Sequence, residues 1–177
     1  MAAISDRTRR LVLLRHAKAE PAGDATPDEV RSLALRGRRQ AGQVGAVLRQ
    51  TGLVPEVALV SPSVRTRQTW DLLRGAFGDA EPEVILSDDL YTGGVQDLVA
   101  LVREVDERVR SVLVVGHEPT ISSTAAALAG EGSDETALHR VRTHLSTASY
   151  AVLELPDHWD VLAPGGARLA AVVSPSE

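Results

Sequence analysis

Residues 10–16 read Arg-Leu-Val-Leu-Leu-Arg-His, a burst of apolar side chains, Leu11 to Leu14, that stops abruptly on Arg15 and His16. Two more bursts have the same build: Val57–Val60 runs into Ser61-Pro62, and Val112–Val115 runs into Gly116-His117. None alternates polar with apolar positions. A strand that is apolar on both faces is covered on both, as inside a parallel sheet flanked by helices. The intervening segments fit. Between Gly37 and Gln50 the residues Ala41, Val44, Val47 and Leu48 recur at helical spacing, and Gly52 stands where a helix would end. Gln68–Phe77, following Ser61-Pro62, is a second helix; Val95–Val105 puts Leu98, Leu101, Val102 and Val105 on one face; Thr120–Leu128 follows Pro119 as a fourth. Ser149–Leu155 and Leu169–Val173 read as further strands, Pro21–Asp28 and Gly130–Glu135 as loops. Strands alternating with helices predict a three-layer α/β/α sandwich around a mostly parallel central sheet.

The chain has 177 residues, with 44% hydrophobic and 24% charged, the profile of one globular domain over 1–177 with its core at about 10–173. It is long enough to bury a core without staples. Lacking cysteine, it has no disulfide, thiolate metal site or thiol nucleophile. A net charge of −5 argues against a general nucleic-acid binder. The longest apolar runs, such as Leu98–Val102, are five residues, far short of a membrane span. After Arg7, Arg9 and Arg10 only Leu11–Leu14 follow before Arg15, too short for a signal-peptide core, so a cytoplasmic protein is expected. A monomer or weak dimer is expected as well.

In open α/β sheets ligands bind beyond the carboxyl ends of the strands. There the bursts deliver Arg15 and His16, then Ser61, Pro62, Ser63, Val64 and Arg65, then Gly116 and His117. Two arginines and two histidines thus meet at one edge. Paired guanidinium forks recognise an oxyanion, and a phosphoryl group is the usual guest. Helices starting after Pro62 and Pro119 aim their N-terminal dipoles at the same place. One histidine is suited to be a nucleophile and the other a donor to phosphoryl oxygens, since nearby arginines disfavour imidazolium. A lone histidine at a strand end is usually structural; four such residues at three strand ends reverse that expectation.

These residues resemble a family. LVLLRHA is similar to the Arg-His-Gly signature of the histidine phosphatase superfamily, the phosphoglycerate-mutase-like group; SPSVRTRQT and VVGHEP are similar to its second and third signatures. RSLALRGRRQA and the tail ASYAVLELPDHWDVLAPGGARL resemble the small SixA-type branch of phosphohistidine phosphatases, so the likeness runs from about Leu11 to Leu169. It implies a phosphoglycerate-mutase-like fold, His16 as the nucleophile that forms a phosphohistidine, and Arg15, Arg65 and His117 as phosphate ligands that spread the developing charge. Two departures stand out. Ala17 replaces the signature glycine, which fits if the backbone there needs no positive φ. The larger relatives use an acid after the second helix; the matching stretch, Leu86–Gly94, offers Asp88 as candidate proton donor and Asp89 as the alternative.

His139, His144 and His158 have no metal-ligand spacing, and there is no HExxH, GxGxxG, GxxxxGK[ST] or GxSxG. No metal and no cofactor is expected. Arg67 faces away from Arg65 on its helix, and Lys18 and Glu20 rim the pocket or belong to a solvated loop. The expectation is a metal-independent phosphatase acting through phosphohistidine, with a phosphorylated protein, above all phosphohistidine, or a small phosphorylated molecule as its partner, and no nucleic acid or membrane. A phosphomonoesterase for small molecules and a silent phosphate-binding module are the alternatives. A mutase is disfavoured, because the spans 70–111 and 124–147 are too short to close over a substrate.

Overall fold

The computed structural model describes residues 8–176; the ends of the expected 1–177 domain, Arg7 among them, lie outside the described residues. Its strands are β1 (Arg9–Arg15), β2 (Val57–Val60), β3 (Glu83–Leu86), β4 (Ser111–Gly116), β5 (Tyr150–Leu155) and β6 (Arg168–Val173). They form one sheet in the order β3-β2-β4-β1-β5-β6. The first four are mutually parallel; β5 runs antiparallel to β1, and β6 antiparallel to β5. The helices are α1 (Leu35–Gln50), α2 (Val64–Arg74), α3 (Asp89–Thr92), α4 (Val95–Arg103), α5 (Thr120–Leu128) and α6 (Glu135–Thr143). This is the expected sandwich. No helix among the described residues is long and apolar enough to cross a membrane.

The unbroken apolar character of β1 is explained by its two faces. Val12 and Leu14 pack with Ala41, Val44 and Leu48 of α1 and with Trp70 and Leu73 of α2. Leu11 and Leu13 pack on the other side with Leu98 and Val102 of α4, Ile121 and Leu128 of α5 and Val141 of α6. Truncating one of these leucines to alanine costs about 2–5 kcal/mol in such a setting. The two helices of the first face touch closely: a Cβ on Gly45 would lie 2.1 Å from the Leu73 carbonyl oxygen, so α1 and α2 meet backbone to backbone. α1 ends as expected, with Gly52 at φ 72 beyond the last turn.

Several elements differ from the sequence reading, the short α3 among them. α2 begins at Val64, earlier than Gln68, because the Ser63 side chain caps it by accepting from the Thr66 amide. β3 was not anticipated: all four residues are exposed at the sheet edge, so it lacks the buried-strand signature. α6 was not anticipated either. It starts within Gly130–Glu135, read as a loop: Asp134 caps it by accepting from the Ala137 amide at 2.8 Å, and Glu135 is its first residue.

Candidate active site

β2, β4 and β1 are neighbours and parallel, so their carboxyl ends share one edge, and hydrogen bonds beyond the strands lock that edge together. The His16 amide donates to the Gly116 carbonyl at 3.0 Å, and the Ser61 amide to the Val115 carbonyl at 3.1 Å. Arg15, His16, Ser61 and His117 are thereby set side by side. Arg65, in the first turn of α2, is 5% exposed and reaches the same place.

His16 is 7% exposed. Its Nδ1 lies 2.8 Å from the Ala17 carbonyl oxygen. A carbonyl only accepts, so Nδ1 carries the proton and the lone pair of the neutral ring is on Nε2. Burial pushes the His16 pKa down to about 3; the Ala17 carbonyl opposes that, while His117, Arg65 and Arg15 add to it. The ring is therefore a neutral base at physiological pH. Ala17 lies outside the left-handed region, where Ala148 is the non-glycine residue among those described, so replacement of the signature glycine is tolerated. The Ala17 amide donates to Thr69 Oγ1 of α2 at 3.0 Å, which fixes the loop behind the ring.

The His117 ring lies 5.4 Å from that of His16, centroid to centroid. Arg65 Nη2 approaches His117 Nδ1 at 3.2 Å. A guanidinium only donates, so Nδ1 accepts, and Nε2 carries the proton it directs at Ser61 Oγ, 2.8 Å away. Burial, then Arg65, hold the His117 pKa down to about 4, with Asp28 pulling the other way.

Asp28 joins the site although it was not among the candidates. Its carboxylate accepts from Arg65 Nη2 at 2.8 Å, Tyr91 OH at 2.7 Å and Arg31 Nη2 at 3.0 Å, and its carbonyl accepts from Arg65 Nη1 at 2.8 Å. The Tyr91 hydroxyl foremost, with the Arg65 and Arg31 donors, holds this carboxyl far below the usual carboxylate range. Tyr91 in turn stands edge-on to His117, with ring centroids 5.4 Å apart. A third guanidinium, Arg31, thus joins the pair that was expected. No sequence signal marks Asp28, which closes an aperiodic loop; its spacing of three from Arg31 is the one local hint. Glu118 was also passed over. Its carboxylate accepts from the Ser122 amide at 2.8 Å, Ser122 Oγ at 2.7 Å and the Leu145 amide at 3.1 Å, while Arg15 Nη1 donates to the Leu145 carbonyl at 2.8 Å.

The Nε groups of Arg15, Arg31 and Arg65 are buried without a hydrogen-bond partner. Buried donors of this kind are rare; three belong to arginines of this edge, while Arg9 Nε and the Thr124 hydroxyl are likewise unpaired elsewhere in the fold. Asp88 is not drawn in. Its side chain is exposed and makes no hydrogen bond or ion pair among the described residues, while its carbonyl accepts from the Tyr91 and Thr92 amides. The Asp89 side chain is likewise exposed. Arg67, Lys18 and Glu20 are exposed, as are His139, His144 and His158.

The sequence model of the histidine phosphatase superfamily (branch 1) matches residues 11–91. A solved structure from Nakamurella multipartitia, assigned as a phosphohistidine phosphatase SixA, is 35% identical, with a TM-score of 0.83 over 96% of this chain and 98% of that one. The protein histidine phosphatase SixA complexed with tungstate is 25% identical, with a TM-score of 0.75 over 94% and 97%. A phosphohistidine phosphatase SixA homolog of Haemophilus influenzae is 32% identical over 129 residues, 68% of this chain and 77% of that protein.

Proposed function

The chain belongs to the histidine phosphatase superfamily, in its small SixA-type branch, and is a phosphatase; we propose that it removes the phosphoryl group from phosphohistidine on proteins by way of a phosphohistidine at His16. The observation that carries this reading is the state of His16: buried, neutral, with Nδ1 tied to the Ala17 carbonyl and Nε2 free to attack. In the first step the Nε2 lone pair attacks phosphorus, the P–N bond to the substrate ring, already protonated on its other nitrogen, breaks, and the ring leaves as neutral imidazole with that electron pair as its lone pair. In the second, water attacks the phosphoryl group on His16, giving inorganic phosphate and returning the electron pair to Nε2. Arg15, Arg65 and His117 hold the equatorial oxygens and stabilise their charge in the transition state. The tungstate complexed with the SixA relative is a tetrahedral oxyanion of the phosphate type, which supports recognition of a phosphoryl group in this branch.

The substrate class follows from the leaving group. An alkoxide needs a proton donor on the enzyme. Imidazole does not, because the substrate's own ring is protonated before the bond breaks. Around Arg65 and His117 the nearest carboxylate in hydrogen-bond contact is Asp28, and it is held firmly ionised, unable to give a proton at neutral pH. A site with strong phosphate ligands and no poised acid suits a phosphoramidate. The experiment is a comparison of kcat/KM for a phosphohistidine peptide, an aryl phosphate and a simple alkyl phosphate. The first two are expected at least tenfold ahead of the third, about 1.4 kcal/mol at the transition state. His16→Ala is expected to lose turnover of all of them by about a thousandfold or more. An alkyl phosphate cleaved as fast as the peptide, or an active His16→Ala enzyme, would overturn the reading.

A further inference from the structure

Helix α1 begins at the edge of the sheet that carries the site, and its first turns are built against the usual rule. A helix start favours acidic residues and a capping side chain, because its free amides carry partial positive charge. The first turn of α1 has no acidic residue, and Ala34 offers no capping side chain. Arg36, Arg38 and Arg39 stand there instead. All three, and Lys18 in the loop just after His16, are exposed and make no side-chain hydrogen bond or ion pair among the described residues. In a chain of net charge −5 this is a local concentration of unneutralised cations that costs helix stability.

The patch is fastened to the site. The Ala34 amide donates to the Lys18 carbonyl at 3.0 Å, and the Lys18 amide to Gln40 Oε1 at 3.0 Å. Gly37 packs so tightly that a Cβ would lie 2.0 Å from the Lys18 carbonyl oxygen. Arg36 and Arg39 share one face of α1 and line a groove with Gln40, Gln43 and Ser176. Leu35, next to Arg36 in the chain, is 65% exposed, and Val30, two residues from Asp28, is 52% exposed. A cationic face with large apolar side chains at its margin, held rigidly next to a phosphoryl site, has the composition of a docking surface, where charge sets partner choice and encounter rate.

We propose that Lys18, Arg36 and Arg39, with Leu35 and Val30, form a docking face for an acidic surface of the phosphorylated protein, so that the enzyme selects phosphohistidines flanked by Asp and Glu. The partner's acidic side chains pair with the free guanidiniums while its phosphorylated ring enters beside His16. This deepens, and rests on, the proposed phosphohistidine phosphatase activity. The test uses the full-length enzyme and two synthetic phosphohistidine peptides, alike except for Glu-rich or Lys-rich flanks, with p-nitrophenyl phosphate as the small substrate. The wild type is expected to prefer the Glu-flanked peptide at least tenfold in kcat/KM at low salt, and less as salt is raised. R36E/R39E is expected to lose or invert that preference while p-nitrophenyl phosphate turnover stays within threefold and thermal stability is unchanged or higher. If the wild type cleaves neither peptide but does cleave p-nitrophenyl phosphate, the proposed function fails. If it cleaves both peptides equally, or if R36E/R39E keeps the wild-type preference or loses all substrates in parallel, the docking face alone fails. Phosphatidylserine vesicles that inhibit peptide cleavage more strongly than an unphosphorylated Glu-rich peptide, in wild type but not in R36E/R39E, would replace the protein partner with a membrane surface.

Discussion

Arg65 and Asp28 are joined twice: Nη1 of the guanidinium donates to the Asp28 carbonyl oxygen and Nη2 to its carboxylate, both at 2.8 Å. The pairing orients the fork, and it also sets a negative charge beside the place reserved for the phosphoryl group. For Asp28→Asn the second effect is expected to dominate equilibrium binding. With the like charge gone, inorganic phosphate binds about fivefold more tightly, roughly 1 kcal/mol for an exposed carboxylate that solvent partly screens. Turnover is expected to fall about tenfold, because Arg65 and Tyr91 lose their common anchor. The inhibition constant of phosphate and kcat together check this; weaker phosphate inhibition would mean that orientation is the whole role of Asp28.

The pH dependence follows from the two site histidines. His16 and His117 are held down to about 3 and about 4, below the ordinary 6.5. His16, the proposed nucleophile, therefore keeps its lone pair in mild acid, and kcat/KM for an aryl phosphate is expected to show no acid limb near pH 6.5 down to about pH 5. Stability runs the other way. Below pH 6.5 the unfolded chain takes up protons at these positions and the folded one does not, so acidification favours unfolding until the folded pKa values are reached. At pH 5 each histidine accounts for about 2 kcal/mol. A melting temperature lower by several degrees at pH 5 than at pH 7.5, with a smaller drop in His117→Gln, is the expected result.

Two glycines of α1 make a matched pair. A Cβ on Gly37 would meet the Lys18 carbonyl oxygen at 2.0 Å, whereas one on Gly42 meets nothing within 4 Å. Gly37→Ala is expected to push the helix off the loop behind His16, costing about 1–3 kcal/mol of stability and at least tenfold in kcat. Gly42→Ala is expected to stabilise by about 0.5–1 kcal/mol with activity unchanged. Chemical denaturation and aryl phosphate kinetics on the two variants check both signs.

Asp88 and Asp89 are exposed, and Asp88 makes no side-chain bond among the described residues. The double change to Asn is expected to leave phosphohistidine and alkyl phosphate cleavage within twofold of the wild type. A selective loss of the alkyl phosphate activity would identify one of them as a proton donor brought in by the substrate.

The parts of the fold that were legible are those whose burial is written twice over. β1, β2 and β4 are apolar on both faces, and the placement of Arg15, His16, Arg65 and His117 beyond them follows from strand direction alone. β3 escaped because an exposed edge strand has no such signature. α6 escaped because its capping Asp134 and first residue Glu135 fall inside Gly130–Glu135, a stretch that reads as loop. Asp28 escaped for a different reason. Its partners Arg65 and Tyr91 are 37 and 63 residues away, and only the closed fold brings them together. The sequence pattern also offered Asp88 as the carboxylate of this region; the carboxylate that the Tyr91 hydroxyl bonds is that of Asp28.

The contact between His16 Nδ1 and the Ala17 carbonyl decides regiochemistry as well as protonation. With Nδ1 committed to the chain, the phosphohistidine proposed at His16 forms on the remote nitrogen, as the τ isomer. A substrate phosphorylated on either ring nitrogen would pass through that same species. Any discrimination between substrate isomers is therefore made before the first transfer and erased by it.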